Sequence, residues 1–215
     1  MVLLGPPGVG KGTQAAEVQR RTGFPHISTG EMLREAMRNG SALGTRVRAV
    51  VERGDLVPDD VMGDLVEDRL EKPDARDGFL LDGFPRTPAQ ADRLEWILGG
   101  EGLRLDGVVN LAVPEPEIVD RLTGRRVCSS CGALYHVRTK RPRAEGICDL
   151  CGGALKERSD DRREAIEARL RAYHEQTEPL IVRYRNAGLL ITIDGRGTPE
   201  EVFARLSAAL PGLGR

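Results

Sequence analysis

The sequence predicts an α/β protein built on a doubly wound parallel sheet, and two observations lead to that prediction. Five short apolar runs alternate along the chain with amphipathic stretches, which is the pattern of strands and helices in a parallel sheet. The first run leads directly into a glycine-rich segment with a lysine, Gly5–Thr13. Such a segment between a strand and a helix is typical of phosphate-binding loops.

The predicted elements follow one another in alternation. Strands are expected at Val2–Gly5, Pro25–Ser28, Phe79–Asp82, Val108–Val113 and Leu189–Asp194. Helices are expected to begin at Lys11, Glu31, Asp59, Pro88, Glu115, Asp160 and Pro199. Thr29 is expected to cap the helix that begins at Glu31, and Thr198 precedes a helix with proline in its first turn. Pro179 is expected to kink the long helix that begins at Asp160.

Composition narrows the class of protein. The chain has 215 residues and a formal net charge of −1, which gives no support for nonspecific binding to nucleic acid. The sequence has no apolar run of the ~18 residues that a membrane span needs, and it has no signal-peptide pattern before the first strand. We therefore expect a cytoplasmic protein with reduced thiols and no membrane partner. The absence of a heptad seam favours a monomer.

The loop Gly5–Thr13 departs from the strict P-loop pattern in one informative place. Gly12 follows Lys11, where Ser or Thr is usual, and the hydroxyl comes one residue later at Thr13. Glycines allow backbone N–H groups to surround phosphate oxygens, and Lys11 would reach the β- and γ-phosphates. The departure favours the nucleoside monophosphate kinases over GTPases or motor proteins.

All four cysteines lie in a segment that does not fit the α/β alternation, Gly124–Ser159. They form two pairs with two residues inside each pair and sixteen between the pairs: Cys128, Cys131, Cys148 and Cys151. Four thiolates in this spacing suit a structural, tetrahedral Zn²⁺ site. Iron, a pair of disulfides or four free thiols are the alternatives. His136 is expected to be a loop residue and not a ligand.

Two further segments carry candidate phosphate and nucleotide contacts. Asp82 ends a predicted strand, so its carboxylate would face the ligand crevice and hold Mg²⁺ through water. Arg86, four residues later, would point into the same crevice. Arg34 could bind a second phosphate, and Gln90 is equally compatible with a base contact and with a surface position.

Arginines flank the cysteine-bearing segment on both sides. Arg121, Arg125 and Arg126 come just before its first cysteine pair, and Arg158 and Arg169 come after its second pair. If the segment is hinged, these guanidinium groups can move onto phosphates as it closes. Phosphoryl transfer requires such positive charge around the equatorial oxygens of the transferred group.

Taken together, these motifs resemble the adenylate kinase family, of the bacterial type with a long zinc-bearing lid. The resemblance extends over essentially the whole chain in the same order. It implies a five-stranded P-loop core of residues 1–27, 58–123 and 162–215, a small helical AMP-binding insertion at 28–57, and a lid at 124–161. It also implies the reaction Mg·ATP + AMP ⇌ 2 ADP, with ATP, AMP and ADP as ligands and both Zn²⁺ and Mg²⁺ as cofactors.

The resemblance implies a role for each matching residue. ATP phosphates would lie on Gly8, Val9, Gly10, Lys11, Gly12 and Thr13, and adenine near Arg125, Leu134, Tyr135 and Gly197. AMP would contact Thr29, Arg34, Asp55, Leu56, Val57, Gly83, Phe84, Pro85, Arg86 and Gln90. Lys11, Arg86, Arg121, Arg158 and Arg169 would hold the transferred phosphoryl group, with Asp82 at the magnesium ion and Asp160 and Asp161 at the lid hinge. An extra residue in the loop Gly195–Gly197 departs from some relatives.

Two alternative functions remain open at this point. One is a UMP/CMP kinase or a GTP-using relative on the same scaffold, because base choice depends on a few contacts. The other is a zinc-ribbon protein that binds nucleic acid. The balanced charge and the low aromatic content of 4% disfavour the second alternative.

Overall fold

The computed structural model describes residues 1–210 and contains a parallel core sheet and a small antiparallel sheet. The strands are β1 (Val2–Leu4), β2 (His26–Ser28), β3 (Leu80–Asp82), β4 (Val108–Ala112), β5 (Arg125–Cys128), β6 (Leu134–His136), β7 (Leu155–Lys156) and β8 (Leu190–Asp194). The core sheet has the order β2-β3-β1-β4-β8 and all its pairings are parallel. The five predicted core strands and the fold class are confirmed.

The first strand occupies the centre of the core sheet. Val2 of β1 pairs with Leu81 of β3 on one side and with Val108 of β4 on the other. The three β1 side chains are buried between helices on both faces of the sheet, which is why the strand is apolar at every position. The loop that follows β1 therefore lies at the middle of the carboxyl edge, where ligands bind in such sheets.

Helices cover both faces of the sheet, and two of them lie in the segment 28–57 that was predicted to be an insertion. They are α1 (Lys11–Thr22), α2 (Thr29–Arg38), α3 (Ala42–Arg53), α4 (Asp59–Leu70), α5 (Pro88–Gly100), α6 (Glu115–Thr123), α7 (Arg163–Ala172), α8 (Pro179–Asn186) and α9 (Pro199–Ala209). The predicted helix starts at Lys11, Asp59, Pro88, Glu115 and Pro199 are confirmed. Thr198 caps α9 in a capping box with Glu201, as its sequence favours.

Two local predictions were wrong, and one helix was not predicted. Helix α2 begins at Thr29, and its cap is Ser28, whose side chain accepts a hydrogen bond from the Glu31 N–H; the Thr29 hydroxyl donates instead to the Asp82 carbonyl. Helix α3 was not predicted. The segment from Asp160 is not one kinked helix but a 3₁₀ turn, then α7, a π-turn at Tyr173–Thr177, and α8. Proline suits the first turn of α8 because its missing N–H would have no helical partner there.

Each of the two segments predicted to be insertions is packed within itself. In the first insertion, α2 crosses α3 where Gly44 approaches the Ala36 backbone. In the second, β5 pairs antiparallel with β6 and β7. The division into residues 1–27, 58–123 and 162–215, 28–57, and 124–161 stays a prediction, and its last five residues, 211–215, lie outside the described part. Within residues 1–210, no helix combines the length and apolar character required to cross a bilayer.

Candidate active site

The glycine-rich loop forms a preorganised anion site at the start of α1. Gly8 and Gly10 have φ values of 81° and 107°, which side-chain-bearing residues rarely adopt. Gly10 is the N-cap of α1 and supplies no side-chain cap. The first N–H groups of the helix therefore remain available to an anion at the positive end of the helix dipole.

Lys11 lies over this loop. Its Nζ donates to the Gly5 and Pro6 carbonyls at 2.7 and 3.0 Å. Burial lowers the pKa of Lys11 to about 8, against the opposing charge of Asp82. An ammonium group held under this desolvation is stabilised by a bound polyanion.

The cleft above the loop is strongly cationic. Its lining contains seven Lys and Arg side chains and two carboxylates, Glu31 and Asp82. The cationic residues are Lys11, Arg34, Arg86, Arg121, Arg125, Arg158 and Arg169. Seven positive charges minus two negative charges leave an excess of five, in a protein whose formal net charge is −1. A local excess of positive charge of this kind favours the binding of phosphate groups.

Burial and repulsion between neighbouring guanidinium groups lower the pKa of several of these arginines. Burial and the neighbouring Arg169 lower the pKa of Arg86 to about 10. Burial and Arg125 lower the pKa of Arg158 to about 10. Both residues remain cationic at neutral pH. Their crowding is relieved when a phosphate group enters between them, because opposite charge favours the charged form.

Three carboxylates partly compensate the cationic cluster. Asp161, with a side chain that has 0% exposure, accepts two hydrogen bonds from Arg125 at 2.7 and 2.5 Å. Asp160 lies 3.0 Å from Arg169. For Asp82, burial opposes ionisation, but the His26 ring, with its Nε2 3.5 Å from Asp82 Oδ2, and the Lys11 charge outweigh it and lower the pKa of Asp82. The pKa of Asp160 is also lowered, because Arg169 and Arg34 outweigh its burial.

The ionised carboxylates of Asp82 and Asp160 suit a magnesium ion. Mg²⁺ takes oxygen ligands and is bound in proteins through one or two carboxylates together with substrate phosphates. Asp82 lies at the end of β3 beside the phosphate loop: a Cβ built on Gly12 would be 3.6 Å from its Oδ2. The donor set therefore fits Mg²⁺ carried by a bound nucleotide.

The two arginines before the lid lie in different surroundings. Arg121 donates to the carbonyls of Val9 and Gly195, at 3.1 and 3.0 Å, and so joins the phosphate loop to the loop after β8. Arg125 instead belongs to the buried charge cluster with Asp161. The family resemblance implies Arg121 at the transferred phosphoryl group and Arg125 at adenine; both side chains line the cleft.

A second pocket opens from the cleft toward the first insertion. One end is charged by Arg34, Arg86 and Arg169, and the other is apolar. Eight of the residues predicted for AMP line it: Thr29, Arg34, Asp55, Leu56, Val57, Gly83, Arg86 and Gln90. Pro85 lines the main cleft. Phe84 has 0% exposure and packs in the hydrophobic core, so its side chain does not line either cavity.

Gln90 is buried and held in a network at the wall of this second pocket. Its Oε1 accepts a hydrogen bond from the Arg86 N–H at 2.8 Å, and its Nε2 donates to Asp59 Oδ1 at 2.7 Å. The Thr87 hydroxyl donates to the other oxygen of Asp59 at 3.0 Å. The surface position that the sequence left open for Gln90 is therefore wrong.

The four cysteines converge in the small sheet. Their Sγ atoms all lie within 4.8 Å of one another, with Cys128–Cys151 at 3.4 Å and Cys131–Cys148 at 3.6 Å. These separations are too long for disulfide bonds, and none of the four is bridged. They suit a tetrahedral zinc ion, for which Zn–S bonds of about 2.3 Å place sulfurs about 3.8 Å apart.

Three residues predicted for ATP lie away from the cleft lining. The Val9 side chain is buried in the core beside β1, although its carbonyl accepts from Arg121. Tyr135 is buried against the cysteines, with its hydroxyl 3.6 Å from Cys148 Sγ. Gly197 lies near Glu201 and Arg205. By contrast, Leu134, Gly8, Gly10, Gly12 and Thr13 all line the cleft.

Sequence reasoning missed three residues that organise the site. Glu31 accepts hydrogen bonds from Arg34 and Arg158, and its signal was the i, i+3 spacing to Arg34. Thr177 lies in the π-turn, and its hydroxyl donates a hydrogen bond of 2.8 Å to the Arg86 carbonyl. The third is Asp59. Neither Thr177 nor Asp59 carries a local signal, because each contact joins segments far apart in sequence.

Comparison with known proteins gives a consistent result. The family model described as adenylate kinase matches residues 3–189. A protein named adenylate kinase from Carboxydothermus hydrogenoformans is 50% identical over 98% of this chain and 98% of its own length. The protein of that name from Moorella thermoacetica is 51% identical over 98% of this chain and 97% of its own. One from Desulfitobacterium hafniense is 53% identical over 90% of this chain and 89% of its own.

Proposed function

The chain belongs to the adenylate kinase family, and from this premise we propose how its residues carry out phosphoryl transfer between ATP and AMP. Members of this family are ATP:AMP phosphotransferases that use Mg²⁺ with ATP, and the reaction is reversible: ATP and AMP give two ADP. The observation that carries the proposal is the cleft with seven cations and two carboxylates above a glycine-rich loop. Two adjoining cavities then provide one site for each nucleotide.

ATP binds on the phosphate loop. The N–H groups at the start of α1 hold its phosphates and Lys11 exchanges its loop carbonyls for phosphate oxygens. Arg121 lies beside the adenine, because it contacts the Gly195 carbonyl at the sheet edge. Leu134 covers the base from the lid, since it is an apolar residue on the cleft lining. Arg125 lies near the transferred phosphoryl group and does not contact the base.

AMP binds in the second pocket with its phosphate toward the charged end. Arg34, Arg86 and Arg169 hold the phosphate, and the base lies against the apolar wall that includes Val57. Gln90 provides a polar contact to the base edge. Arg86 lines both cavities, so it lies where the transferred phosphoryl group passes from ATP to AMP.

The mechanism requires no nucleophilic side chain. An oxygen of the AMP phosphate attacks the γ-phosphorus of ATP in line, and ADP leaves on the opposite side. Asp82 and Asp160 would hold the Mg²⁺ that ATP carries, and that ion would supply positive charge to the phosphates. Lys11, Arg86, Arg125, Arg158 and Arg169 align the two phosphates and balance the charge that spreads over the transferred group.

Water must be excluded from this cleft, because ATP would otherwise be hydrolysed. The lid performs this role and the cysteine cluster makes it rigid. A segment with so small an apolar core is stabilised by a structural Zn²⁺ bound to Cys128, Cys131, Cys148 and Cys151. We further propose a cytoplasmic monomer that does not bind nucleic acid; the unbridged cysteines and the balanced net charge support this.

Phosphorus NMR of the protein with Mg²⁺ and ADP alone tests the proposal. We expect ATP and AMP to appear in equal amounts, which requires both sites to accept adenine nucleotides. If ADP persists while a panel of other monophosphates is phosphorylated by ATP, the acceptor is not AMP and a UMP/CMP kinase is favoured. Decay of ADP to AMP and free phosphate would contradict the transfer mechanism.

Arg86→Ala with Arg205→Ala as its control tests the site assignment. Arg205 is also an arginine that donates to backbone carbonyls, but it does so on α9 outside the cleft lining. We expect Arg86→Ala to lower kcat by at least about a hundredfold with ATP affinity largely retained. If ATP affinity is lost instead, the assignment of Arg86 to contacts with AMP and the transferred phosphoryl group is wrong.

A further inference from the structure

We infer that Asp59 sets the base specificity of the monophosphate site by fixing the orientation of the Gln90 side-chain amide. The inference rests on the proposed binding of AMP and refines it. Gln90 is 2% exposed and lies on the wall of the second pocket. Asp59 is half-buried at the start of α4, directly after the loop that supplies Asp55, Leu56 and Val57 to the same pocket.

An isolated glutamine amide does not distinguish between donor and acceptor partners. Rotation by 180° about its last bond exchanges Oε1 and Nε2, so a free amide can match either a donor–acceptor pattern or its inverse. A glutamine that reads a base edge selectively must therefore be prevented from rotating.

The two neighbours of Gln90 prevent this rotation because each has only one hydrogen-bonding character. The Arg86 backbone N–H can only donate, and it donates to Oε1 at 2.8 Å. The Asp59 carboxylate can only accept, and it accepts from Nε2 at 2.7 Å. Rotation of the amide would bring two donors together at Arg86 and two acceptors together at Asp59. Both mismatches are buried and therefore costly.

Thr87 holds Asp59 in turn. Its hydroxyl donates to Asp59 Oδ2 at 3.0 Å and accepts from the Gln90 N–H at 3.1 Å. The carboxylate thus has a partner on each oxygen. One hydrogen of the Gln90 Nε2 and one lone pair of its Oε1 remain for a ligand, in a fixed orientation.

This fixed pattern matches adenine and opposes hypoxanthine. The six-membered edge of adenine offers an acceptor at N1 and a donor at the 6-amino group. Hypoxanthine, like guanine, offers a donor at N1 and an acceptor at O6. The free N–H of Gln90 suits adenine N1 and is repelled by the N1–H of hypoxanthine. A glutamine that could rotate would accept both bases.

The alternative role for Asp59 is electrostatic support of the α4 N-terminus. Asp59 and Asp60 both lie in the first turn of α4. Helix support would be shared by both residues, whereas Asp59 alone of the two contacts Gln90 and Thr87. Asp60→Asn is therefore a matched control: it removes the same charge from the same helix turn.

The test compares ATP-dependent phosphorylation of AMP and of inosine monophosphate by the wild type, Asp59→Asn and Asp60→Asn. An asparagine at position 59 can donate as well as accept, so one of the two constraints on Gln90 is lost. We expect the ratio of kcat/KM for AMP to that for inosine monophosphate to fall about tenfold in Asp59→Asn, chiefly through KM. Asp60→Asn keeps the wild-type ratio.

Asp59→Glu provides a rescue, because it retains an acceptor-only carboxylate. We expect Asp59→Glu to keep more of the AMP preference than Asp59→Asn. A purely structural role predicts no such order, since the longer side chain disturbs packing more than the isosteric amide. If Asp59→Asn does not fold, Asp59→Ala replaces it, with binding of AMP and inosine monophosphate measured by calorimetry.

The failure of this inference differs from failure of the proposed function. A wild type that does not phosphorylate AMP contradicts the proposed function itself. A wild type that prefers AMP, together with an Asp59→Asn variant that folds and keeps the same preference, overturns only the role of Asp59. Equal loss of preference in Asp60→Asn would overturn it as well, because the effect would then belong to the helix charge.

Discussion

The buried ion pair between Arg125 and Asp161 provides a test of how much this charge cluster stabilises the fold. Asp161→Asn keeps the shape of the side chain and removes its charge. The Asp161 side chain has 0% exposure and Arg125 has 17%, so the substitution leaves a poorly solvated guanidinium group with a weaker partner. Arg169, whose Nη1 lies 3.4 Å from the same carboxylate, loses part of its compensation too.

The expected loss of folding stability follows from the burial of this ion pair. Breaking a buried ion pair by removal of one partner costs about 3–5 kcal/mol. The lower end applies because Arg125 retains some access to water. For a protein of this size each kcal/mol corresponds to roughly 2–4 °C in Tm. A loss of about 3 kcal/mol therefore predicts a fall in Tm of roughly 6–12 °C.

Asp74→Asn is the matched control. Arg69 also binds Asp74 through two parallel hydrogen bonds, at 2.8 and 2.7 Å, but the Asp74 side chain is 54% exposed. An exposed pair of this kind contributes at most about 1 kcal/mol. Urea unfolding of the ligand-free proteins, followed by circular dichroism, measures both variants. If Asp161→Asn and Asp74→Asn lose stability equally, the account of the buried pair is refuted.

Three further predictions concern the loop lysine, the first insertion and the lid. Burial lowers the pKa of Lys11 to about 8, so between pH 8 and about 10.4 the folded protein binds fewer protons at this site than the unfolded chain. The free energy of unfolding should therefore gain up to about 1.4 kcal/mol per pH unit from Lys11 in that window; Lys11→Met lacks this gain, as urea unfolding at pH 7.5 and 9.5 would show. Gly44→Ala should destabilise by about 1–3 kcal/mol because its Cβ meets the Ala36 backbone. Gly99→Ala, with open space around its Cβ, should stabilise by up to about 1 kcal/mol. Elemental analysis should find one zinc per chain, and chelation should lower Tm and increase proteolysis within residues 124–161 first.

Local motifs in this sequence predicted the parts of the site that depend on local geometry. The order strand, glycines, lysine and helix around Gly5–Thr13 specifies an anion site regardless of the rest of the chain. The cysteine spacing likewise specified the tetrahedral cluster. Helix α3 could have been predicted as well, because Ser41 precedes it, Gly54 ends it, and Leu43, Val47 and Val50 repeat at helical spacing.

The remaining features could not be predicted because they depend on contacts between distant segments. Arg121 and Arg125 are four residues apart and alike in type, yet their surroundings are set by Gly195 and Asp161. The partner of Gln90 lies 31 residues upstream. The π-turn that brings Thr177 to Arg86 has no local sequence signature, whereas the proline after it was read as the cause of a kink.

The position of β1 in the core sheet has a consequence for synthesis of the chain. The phosphate loop is synthesised before most of the residues that support it, because β1 is held between β3 and β4 and β4 ends only at Ala112. Domains fold as units during synthesis, and distant pairings of this kind form late because the intervening loop must be closed first. The nascent loop therefore has no complete supporting sheet until synthesis has passed Ala112. Tight nucleotide binding is thus expected only after the core sheet has formed around β1.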